Sequence, residues 1–403
     1  MAVLLFATLD TKGAEASFVR DELRRLGVEV LLVDTGCLGA PAIEADVTRE
    51  EVFLAAGTSR SELLRAGDRG DAVDAAARGA ALLVVGWHAE GRVDGVLALG
   101  GSAGTTIGTA AMRALPLGVP KLMVSTLASG SVGHFVGSKD VLMLNSVVDI
   151  LGLNRISRTV LARAAQAMAG MARAGALPAP ESERPLVAAT MFGVTTPCVE
   201  RAREVLEAAG YEVLVFHATG AGGRTMEALI DEGLIAGVLD LTTTELADEL
   251  IGGVLSAGPG RLSAAGRAGI PQVVSVGATD MVNFHGAETV PSRFHGRKLH
   301  RHNEHVTLMR TSPEECAAIG AEIADKLSYA TGPAVLVLPL RGVSAIDREG
   351  EPFDDPIARE ALFRSLRENA VGIPRIELDF HINDAGFAEA AANRLIALLR
   401  ERE

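Results

Sequence analysis

The chain has 403 residues, of which 48% are hydrophobic, so it is long and apolar enough for two or three domains with cores of ordinary size. Its formal net charge of −13 argues against nucleic acid as a main partner, because binding to a phosphate backbone requires clustered lysines and arginines. Three widely separated cysteines indicate a reducing compartment, and no run of apolar residues is long enough to span a bilayer, so we expect a cytoplasmic protein without a membrane partner.

The first half of the chain alternates short apolar runs with helical patterns, which predicts a parallel, doubly wound sheet. The predicted strands are Val3–Thr8, Val28–Val33, Gly95–Leu99, Lys121–Ser125 and Val141–Leu144, and the predicted helices are Ala14–Leu26, 69–90, Thr105–Ala114 and Ile156–Ala174. The run Ala81–Gly86 would also suit a buried strand. We interpret it as part of the helix 69–90, because only Gly79 separates it from the preceding alanines.

Three prolines between Ala176 and Pro185 indicate a break in this pattern. We therefore predict an N-terminal domain, 1–177, a linker, 178–185, and a C-terminal domain, 186–403. The strands predicted for the C-terminal domain are Leu186–Thr190, Glu212–Phe216, Gly237–Leu241, Gln272–Val276, Ala334–Leu338 and Arg375–Phe380.

The second half of the sequence parallels the first. VLLFATLDTKG and GVEVLLVDTG correspond to VAATMFGVTTP and GYEVLVFHATG, and DGVLALGGSAGT corresponds to AGVLDLTTTEL. These parallels indicate two α/β domains related by duplication, although unrelated doubly wound sheets share the same strand–turn–helix pattern. In either case, ligands are expected in a cleft lined by the carboxyl ends of the strands.

The clearest candidate for a binding site is GVLALGGSAGTT, residues 95–106, where an apolar strand ends in a glycine-rich turn and a helix follows. Glycines let backbone N–H groups approach a phosphate, and a helix N-terminus favours an anion. The residues concerned are Gly100, Gly101, Ser102 and Gly104. A turn that merely closes a strand–helix connection would have a similar sequence.

TLDTKG, residues 8–13, is a second candidate at the end of the first strand. Lys12 could neutralise a phosphate, and the carboxylate of Asp10 could hold magnesium or a hydroxyl group. A helix N-cap at Asp10 or Thr11, followed by a solvated lysine, would explain the same residues. Arg69 opens a predicted helix and could contact a phosphate or remain a surface charge. GxxxxGK[ST] is absent, which excludes a P-loop on that criterion.

Seven polar residues of the second half are candidates for a catalytic site, because they follow predicted strands or lie in the polar, histidine-rich loop Pro291–Thr311. They are His217, Thr242, Glu245, Asp280, Arg297, His302 and His381. A capping box formed by Thr242 and Glu245 would explain that pair without a ligand. The loop has no strict zinc spacing, so anion binding by Arg293, Arg297 and His302 is favoured over a metal site there, which the sequence alone leaves open.

Together and in this order, motifs such as TLDTKG, LALGGSAGT, TMFGVTTPCVERA, HRHNEHVTLMRT and HINDAGFA resemble the tobamovirus-resistance-protein-like (Tm-one-like) ATP-binding family. The matching stretches run from residue 8 to residue 387. The resemblance implies two Rossmann-like domains, with ATP and magnesium held by the N-terminal one. By motif match, the nucleotide contacts are Asp10, Thr11, Lys12, Thr35, Arg69, Gly100, Gly101 and Ser102.

The resemblance also implies a homodimer, and some relatives carry a C-terminal barrel domain, which makes a separate barrel-domain protein a possible partner. We expect an enzyme that binds ATP in the first domain and acts on a small acidic metabolite in the cleft between the domains. The alternative is a non-catalytic, nucleotide-gated module that binds a regulatory protein partner. A third hypothesis is a structural subunit that needs the barrel domain of another chain.

Overall fold

A computed structural model describes residues 1–37, 39–175 and 184–402. The chain divides into two compact units, which we call unit 1 (residues 1–179) and unit 2 (residues 180–403). The predicted linker, 178–185, lies outside the described residues except for Arg184 and Pro185.

Unit 1 alternates strands and helices along the chain. Its elements are β1 (Ala2–Ala7), α1 (Leu9–Arg25), β2 (Val30–Asp34), α2 (Arg49–Ala55), α3 (Arg60–Ala66), α4 (Arg69–Ala89), β3 (Val93–Gly100), α5 (Ser102–Arg113), β4 (Lys121–Ser125), α6 (Gly133–Val136), β5 (Leu142–Asn145) and α7 (Arg155–Ala174). The five strands form one parallel sheet in the order β2-β1-β3-β4-β5. Ala81–Gly86 lies within α4, as predicted.

Helices cover both faces of this sheet. All six residues of β1 are buried, as an unbroken apolar run predicts for a central parallel strand. Leu4 and Phe6 of β1 belong to a core formed with α2, α4 and α5, whereas Leu5 belongs to a second core formed with α1 and α7. The unit is therefore doubly wound, and the carboxyl ends of β1, β2 and β3 lie side by side at one edge.

Unit 2 follows the same plan with additional elements. Its elements are β6 (Leu186–Met191), α8 (Thr196–Ala208), β7 (Glu212–His217), α9 (Ala221–Asp231), β8 (Gly237–Thr242), α10 (Thr244–Ile251), α11 (Ala264–Ala268), β9 (Gln272–Gly277), β10 (Met281–Phe284), β11 (Leu299–Arg301), β12 (Thr307–Arg310), α12 (Pro313–Ser328), β13 (Ala334–Pro339), α13 (Pro356–Asn369), β14 (Arg375–Leu378) and α14 (Ala385–Arg400). Six strands form a parallel sheet in the order β14-β13-β9-β8-β6-β7.

A second, antiparallel sheet in unit 2 has the order β10-β12-β11 and lies between β9 and β13 in the chain. The histidine-rich segment, predicted as a loop, contributes β11 and β12 to this sheet. That part of the prediction is wrong, because cross-strand hydrogen bonds to β10 organise a segment whose own sequence is mostly polar.

The strand orders of the two units correspond. Reading β2-β1-β3-β4-β5 against β7-β6-β8-β9-β13 pairs β1, β2 and β3 with the strands that their sequences parallel, and β14 is an addition at the edge. The prediction of two doubly wound α/β units is confirmed. None of the described helices combines the length and apolar character needed to cross a bilayer.

Candidate functional site

A pocket of about 310 Å³ lies where the carboxyl ends of β1, β2 and β3 meet the first turn of α4. It brings together seven of the nine predicted nucleotide contacts: Asp10, Thr11, Lys12, Arg69, Gly101, Ser102 and Gly104. Thr8, Cys37, Gly39, Val73 and Ala103 complete the lining, and of these Cys37, Gly39 and Val73 were not anticipated from the sequence. Thr35 and Gly100 do not line the pocket.

The glycine-rich turn between β3 and α5 presents backbone groups to this pocket. Gly101 is the N-cap of α5, and no described side chain caps the helix there. The amides of the first turn are therefore available to a ligand. Thr105 fixes the turn from inside, because its hydroxyl bonds to the carbonyl oxygen of Gly101 at 2.7 Å and to Oγ of Ser125 at 2.7 Å.

The glycines of this turn have different roles. A Cβ on Gly100 would lie 2.8 Å from the Cα of Gly104, so Gly100 is needed for close packing of the turn. A Cβ on Gly101 would meet nothing closer than Oγ1 of Thr126 at 3.7 Å. Gly101 therefore borders open space, where a ligand can approach its backbone.

Two cationic side chains border the same pocket. Lys12 interrupts α1 with a non-helical backbone (φ −128°, ψ 20°), and Arg69 is the first residue of α4. Neither forms an ion pair within the part of the chain that the structure describes. Their charges therefore remain available to an anion.

The loop after β2 is held by a buried ionic network that the sequence did not indicate. Asp34 accepts hydrogen bonds from the amides of Leu9 at 3.1 Å and Gly36 at 2.8 Å, and from Nε of Arg49 at 2.6 Å. Arg49 also donates to the carbonyl oxygen of Gly39 at 2.5 Å. This network positions the side of the pocket that Cys37 and Gly39 form.

Asp10 takes part in this network and also lines the pocket. Its Oδ2 accepts from the amide of Gly39 at 3.1 Å and lies 3.9 Å from Nη1 of Arg49. Within the described ranges, no three His, Cys, Asp or Glu side chains gather as a metal site would require. The residues present fit magnesium only as an ion carried by ligand phosphates and held by at most one carboxylate, which is a common arrangement for this metal.

Thr242 and Glu245 are completely buried at the carboxyl end of β8. Oγ1 of Thr242 bonds to Oγ1 of Thr195 at 2.8 Å, and the N-cap of α10 is Thr243, which makes no side-chain cap. The proposed capping box is therefore absent. Glu245 instead accepts a hydrogen bond of 2.6 Å from Nε of Arg261.

Arg261, which sequence reasoning missed, organises a buried cluster around this contact. Its guanidinium binds both oxygens of Asp240, at 2.5 and 2.7 Å, and approaches Glu227 at 3.3 Å. Although burial lowers the pKa of Arg261, the charges of Asp240, Glu245 and Glu227 outweigh it and raise that pKa. Nothing near Arg261 in the sequence indicates this role, because its partners come from β8, α9 and α10.

Asp280 and His381 lie in a buried group at the ends of β9, β13 and β14. Oδ2 of Asp280 accepts from Oγ of Ser344 at 2.8 Å, while its Oδ1 has no hydrogen-bond partner among the described residues. Burial, reinforced by the charge of Asp347, raises the pKa of Asp280 to about 7. His381 accepts the amide of Asn383 on Nδ1 at 3.1 Å and contacts the carbonyl oxygen of Ser344 through Nε2 at 2.8 Å. Both ring nitrogens of His381 are thus engaged with backbone groups.

The structure does not gather the remaining candidates at one place. His217 ends β7, where its ring packs edge-on against Phe192 at 5.6 Å. Arg297 pairs with Glu315 at 2.6 Å, and His302 is exposed in the turn that joins β11 and β12. Of the seven catalytic candidates, only Thr242 with Glu245, and Asp280 with His381, share local clusters.

The fold and the pocket define a protein of two Rossmann-like α/β units, the first of which carries a glycine-rich, cation-bordered pocket. Residues 1–176 match the N-terminal domain, and residues 184–399 the C-terminal domain, of the uncharacterised protein family UPF0261. The chain therefore belongs to the UPF0261 family.

Relatives of the chain include a UPF0261 protein of Clostridium tetani, with 49% identity across 99% of both chains. The ToMV resistance protein Tm-1(GCR237) of Solanum lycopersicum is 46% identical over 77% of this chain and 42% of that protein, which confirms the resemblance drawn from the motifs. A solved glycosyltransferase, SsfS6 of Streptomyces sp. SF2575 complexed with thymidine diphosphate, is 14% identical over 98% of this chain and 99% of that chain. Its TM-score of 0.17 is too low to support a functional comparison.

Proposed function

We propose that unit 1 is a nucleotide-binding domain whose pocket holds the phosphate groups of ATP. The observation that carries the proposal is the convergence of the uncapped N-terminus of α5 with Lys12 and Arg69, neither of which has an ion-pair partner among the described residues. Helix N-termini attract anions through unpaired amides and the helix dipole, and adjacent cations add charge-assisted hydrogen bonds. The choice of ATP among anions rests on the motif resemblance.

Magnesium is proposed as part of the ligand rather than as a resident metal. Asp10 and the hydroxyls of Thr11 and Ser102 would be the groups nearest to it, since all three residues line the pocket. The ion would neutralise phosphate charge and so reduce the repulsion that the carboxylate of Asp10 exerts on the ligand.

Two uses of the bound nucleotide remain proposals. An enzyme acting on a small acidic metabolite is supported by Asp280, whose Oδ1 has no hydrogen-bond partner among the described residues and whose pKa burial raises toward the range that suits proton transfer. A non-catalytic module that binds a protein partner in response to nucleotide is supported by Glu245, Arg297 and His381, whose polar atoms are engaged in internal hydrogen bonds. Turnover of ATP distinguishes the two.

Calorimetric titration with magnesium-ATP tests the site. Lys12→Ala and Arg69→Ala should each weaken binding by roughly 10- to 100-fold, because a hydrogen bond to a charged group contributes about 1.5–3 kcal/mol. Arg78→Ala is the matched control, since Arg78 is exposed on the same helix as Arg69 but does not line the pocket. If Lys12→Ala and Arg69→Ala bound magnesium-ATP as tightly as the control Arg78→Ala, the site would be refuted.

A phosphate-release assay on the same preparations tests catalysis. ATP turnover that increases with an added organic acid supports the enzyme, whereas tight binding without turnover supports the regulatory module. The homodimer, the cytoplasmic location and the barrel-domain partner remain expectations from the resemblance or the sequence. Light scattering would test the homodimer, and affinity capture would test the barrel-domain partner.

A further inference from the structure

Glu245 of unit 2 occupies the position that Ala103 occupies in unit 1. β3 and β8 are the corresponding strands, each placed beside the first strand of its unit, and each leads through a short turn into a helix. The correspondence continues through the strand ends, the N-caps and the first helical residues: Gly100 with Thr242, Gly101 with Thr243, and Ser102 with Thr244. The next residue along is Ala103 in α5 and Glu245 in α10.

The carboxylate of Glu245 is bound as an anion at a helix N-terminus. Its Oε1 accepts hydrogen bonds from the amides of Gly220 at 2.6 Å and Gly223 at 3.0 Å, at the start of α9. Its Oε2 accepts from Nε of Arg261 at 2.6 Å. Two backbone amides of a glycine-rich turn and one guanidinium are the donors that a phosphate takes in proteins.

No space remains for an external anion at this place. Glu245 and Arg261 are completely buried, and a Cβ on Gly223 would collide with the carboxylate. In unit 1, by contrast, Ala103 lines the pocket with a single methyl group. The turn after β7, which binds the carboxylate, and the turn after β8, which carries it, have counterparts after β2 and β3 that line the open pocket of unit 1.

We propose that Glu245 is a resident anion in the counterpart of the phosphate pocket, so that each chain binds one nucleotide, through unit 1 alone. The statement about stoichiometry rests on the proposed function, whereas the statement about Glu245 does not. Glu245 satisfies amides and an arginine that a ligand would otherwise bind, and unit 2 needs no ligand to complete this part of its fold.

Chemical rescue tests the role of Glu245. Glu245→Ala should lower the midpoint of thermal unfolding, and acetate should restore part of the loss by supplying the missing carboxylate. Acetamide or sodium chloride at the same concentration should restore much less, and wild type should not respond to acetate. If the variant does not fold on expression, its refolding yield from urea is compared in acetate and acetamide. Equal effects of acetate and acetamide would overturn the proposal.

Titration with magnesium-ATP tests the stoichiometry. Wild type should bind one equivalent per chain, and two equivalents would overturn the proposal. Ala103→Glu should remove magnesium-ATP binding, because it supplies unit 1 with its own carboxylate. Ala103→Gln adds a side chain of similar volume without charge and should retain more of the binding. Equal losses in both variants would count against the role of charge. If wild type binds no ATP, the proposed function fails, but the acetate experiment still decides the role of Glu245.

Discussion

The carboxylate of Asp34, at the end of β2, accepts a hydrogen bond of 2.6 Å from Nε of Arg49 in the first turn of α2. Both residues are buried, at 2% exposure. In dinucleotide-binding folds, an acidic residue about 20 residues beyond the turn after the first strand binds the ribose. Asp34 ends a strand that could have supplied such a group, but its oxygens hold Arg49 and two backbone amides instead.

Arg49→Ala should strongly destabilise unit 1, because it leaves Asp34 buried without its charged partner. Breaking a buried ion pair on one side costs about 3–5 kcal/mol of unfolding free energy. Urea unfolding followed by circular dichroism measures the loss. The control is Arg25→Ala, which removes an exposed arginine paired with Glu22 and should leave stability almost unchanged. Similar losses in the two variants would contradict the importance of the buried pair.

The engagement of Asp34 also predicts weak discrimination between nucleosides. No aromatic side chain of the described residues lines the pocket, and its volume of about 310 Å³ is at the low end for ligand sites. We expect magnesium complexes of ATP, GTP and tripolyphosphate to bind within about tenfold of one another, or about 1.4 kcal/mol. Competition against a fluorescent ATP analogue measures this. A much higher affinity for one nucleotide than for the others would show that groups outside the pocket contact the nucleoside.

Gly101→Val should remove nucleotide binding while preserving the fold. Its Cβ has room beside Thr126, and the added methyl groups would occupy space that the ligand needs. Gly100→Val should do the reverse, because its Cβ would press on the backbone of Gly104 and cost about 1–3 kcal/mol of stability. Calorimetry and thermal unfolding separate the two effects. Normal ATP affinity in folded Gly101→Val would exclude this turn as the phosphate site.

Cys37 should be the thiol that iodoacetamide modifies first in the folded protein. It lines the pocket with 8% exposure, whereas Cys198 and Cys316 are 0% and 1% exposed. Burial, and then the charge of Asp10, raise the pKa of Cys37, so labelling should be slow at neutral pH and accelerate in alkali. Magnesium-ATP should slow labelling further, as mass spectrometry of peptides would show. Labelling unaffected by nucleotide would place the ligand elsewhere.

Asp248→Asn should change how stability depends on pH. Burial raises the pKa of Asp248 to about 7, so the folded state retains a proton that the unfolded state releases near pH 4. Stability from this group is greatest below about pH 4 and falls as the pH rises to about 7. The asparagine side chain does not titrate, so this loss of stability with rising pH is absent from the variant. The free energy of unfolding of the variant relative to wild type should therefore increase between about pH 5 and pH 8.

Urea unfolding at the two pH values measures this difference. Between these pH values the expected change is roughly 2–3 kcal/mol, at about 1.4 kcal/mol per pKa unit, because the unfolded state has already released most of this proton at pH 5. The variant can keep its contacts, because Oδ1 of Asn283 has no partner among the described residues and could accept from the new amide after a side-chain flip. Asp231→Asn, at an exposed position, is the control. Parallel pH profiles for Asp248→Asn and wild type would contradict the prediction.

Much of the fold could be predicted from the sequence because its signals are local. The continuous apolar run of β1 and the alanine-rich pattern of α4 each fit one kind of element. The antiparallel sheet could not be predicted from the sequence. Its strands β11 and β12 are only three and four residues long, and they depend on pairing with one another and with β10. Isolated segments of that length have no periodicity to detect.

The same difference applies to the candidate site. Lys12 and Gly101 belong to turns whose residue types indicate anion binding by themselves. Asp34 and Arg49 are 15 residues apart, and Glu245 and Arg261 are 16 apart, so each pair is brought together only by the fold. Sequence reasoning therefore identified the turns but interpreted Glu245 as a local helix cap or a ligand-facing acid, when its partners are distant.

The break at Lys12 divides the dipole of α1 into two parts. Peptide dipoles add only while they are aligned, so the turn before the break contributes a weak field and the main body of the helix starts farther from the ligand. α5 is continuous from Ser102 and its N-terminus has no side-chain cap, so its dipole acts on the pocket undivided. We expect the most highly charged end of a bound ligand to orient toward α5, so that the ligand would bind in one orientation.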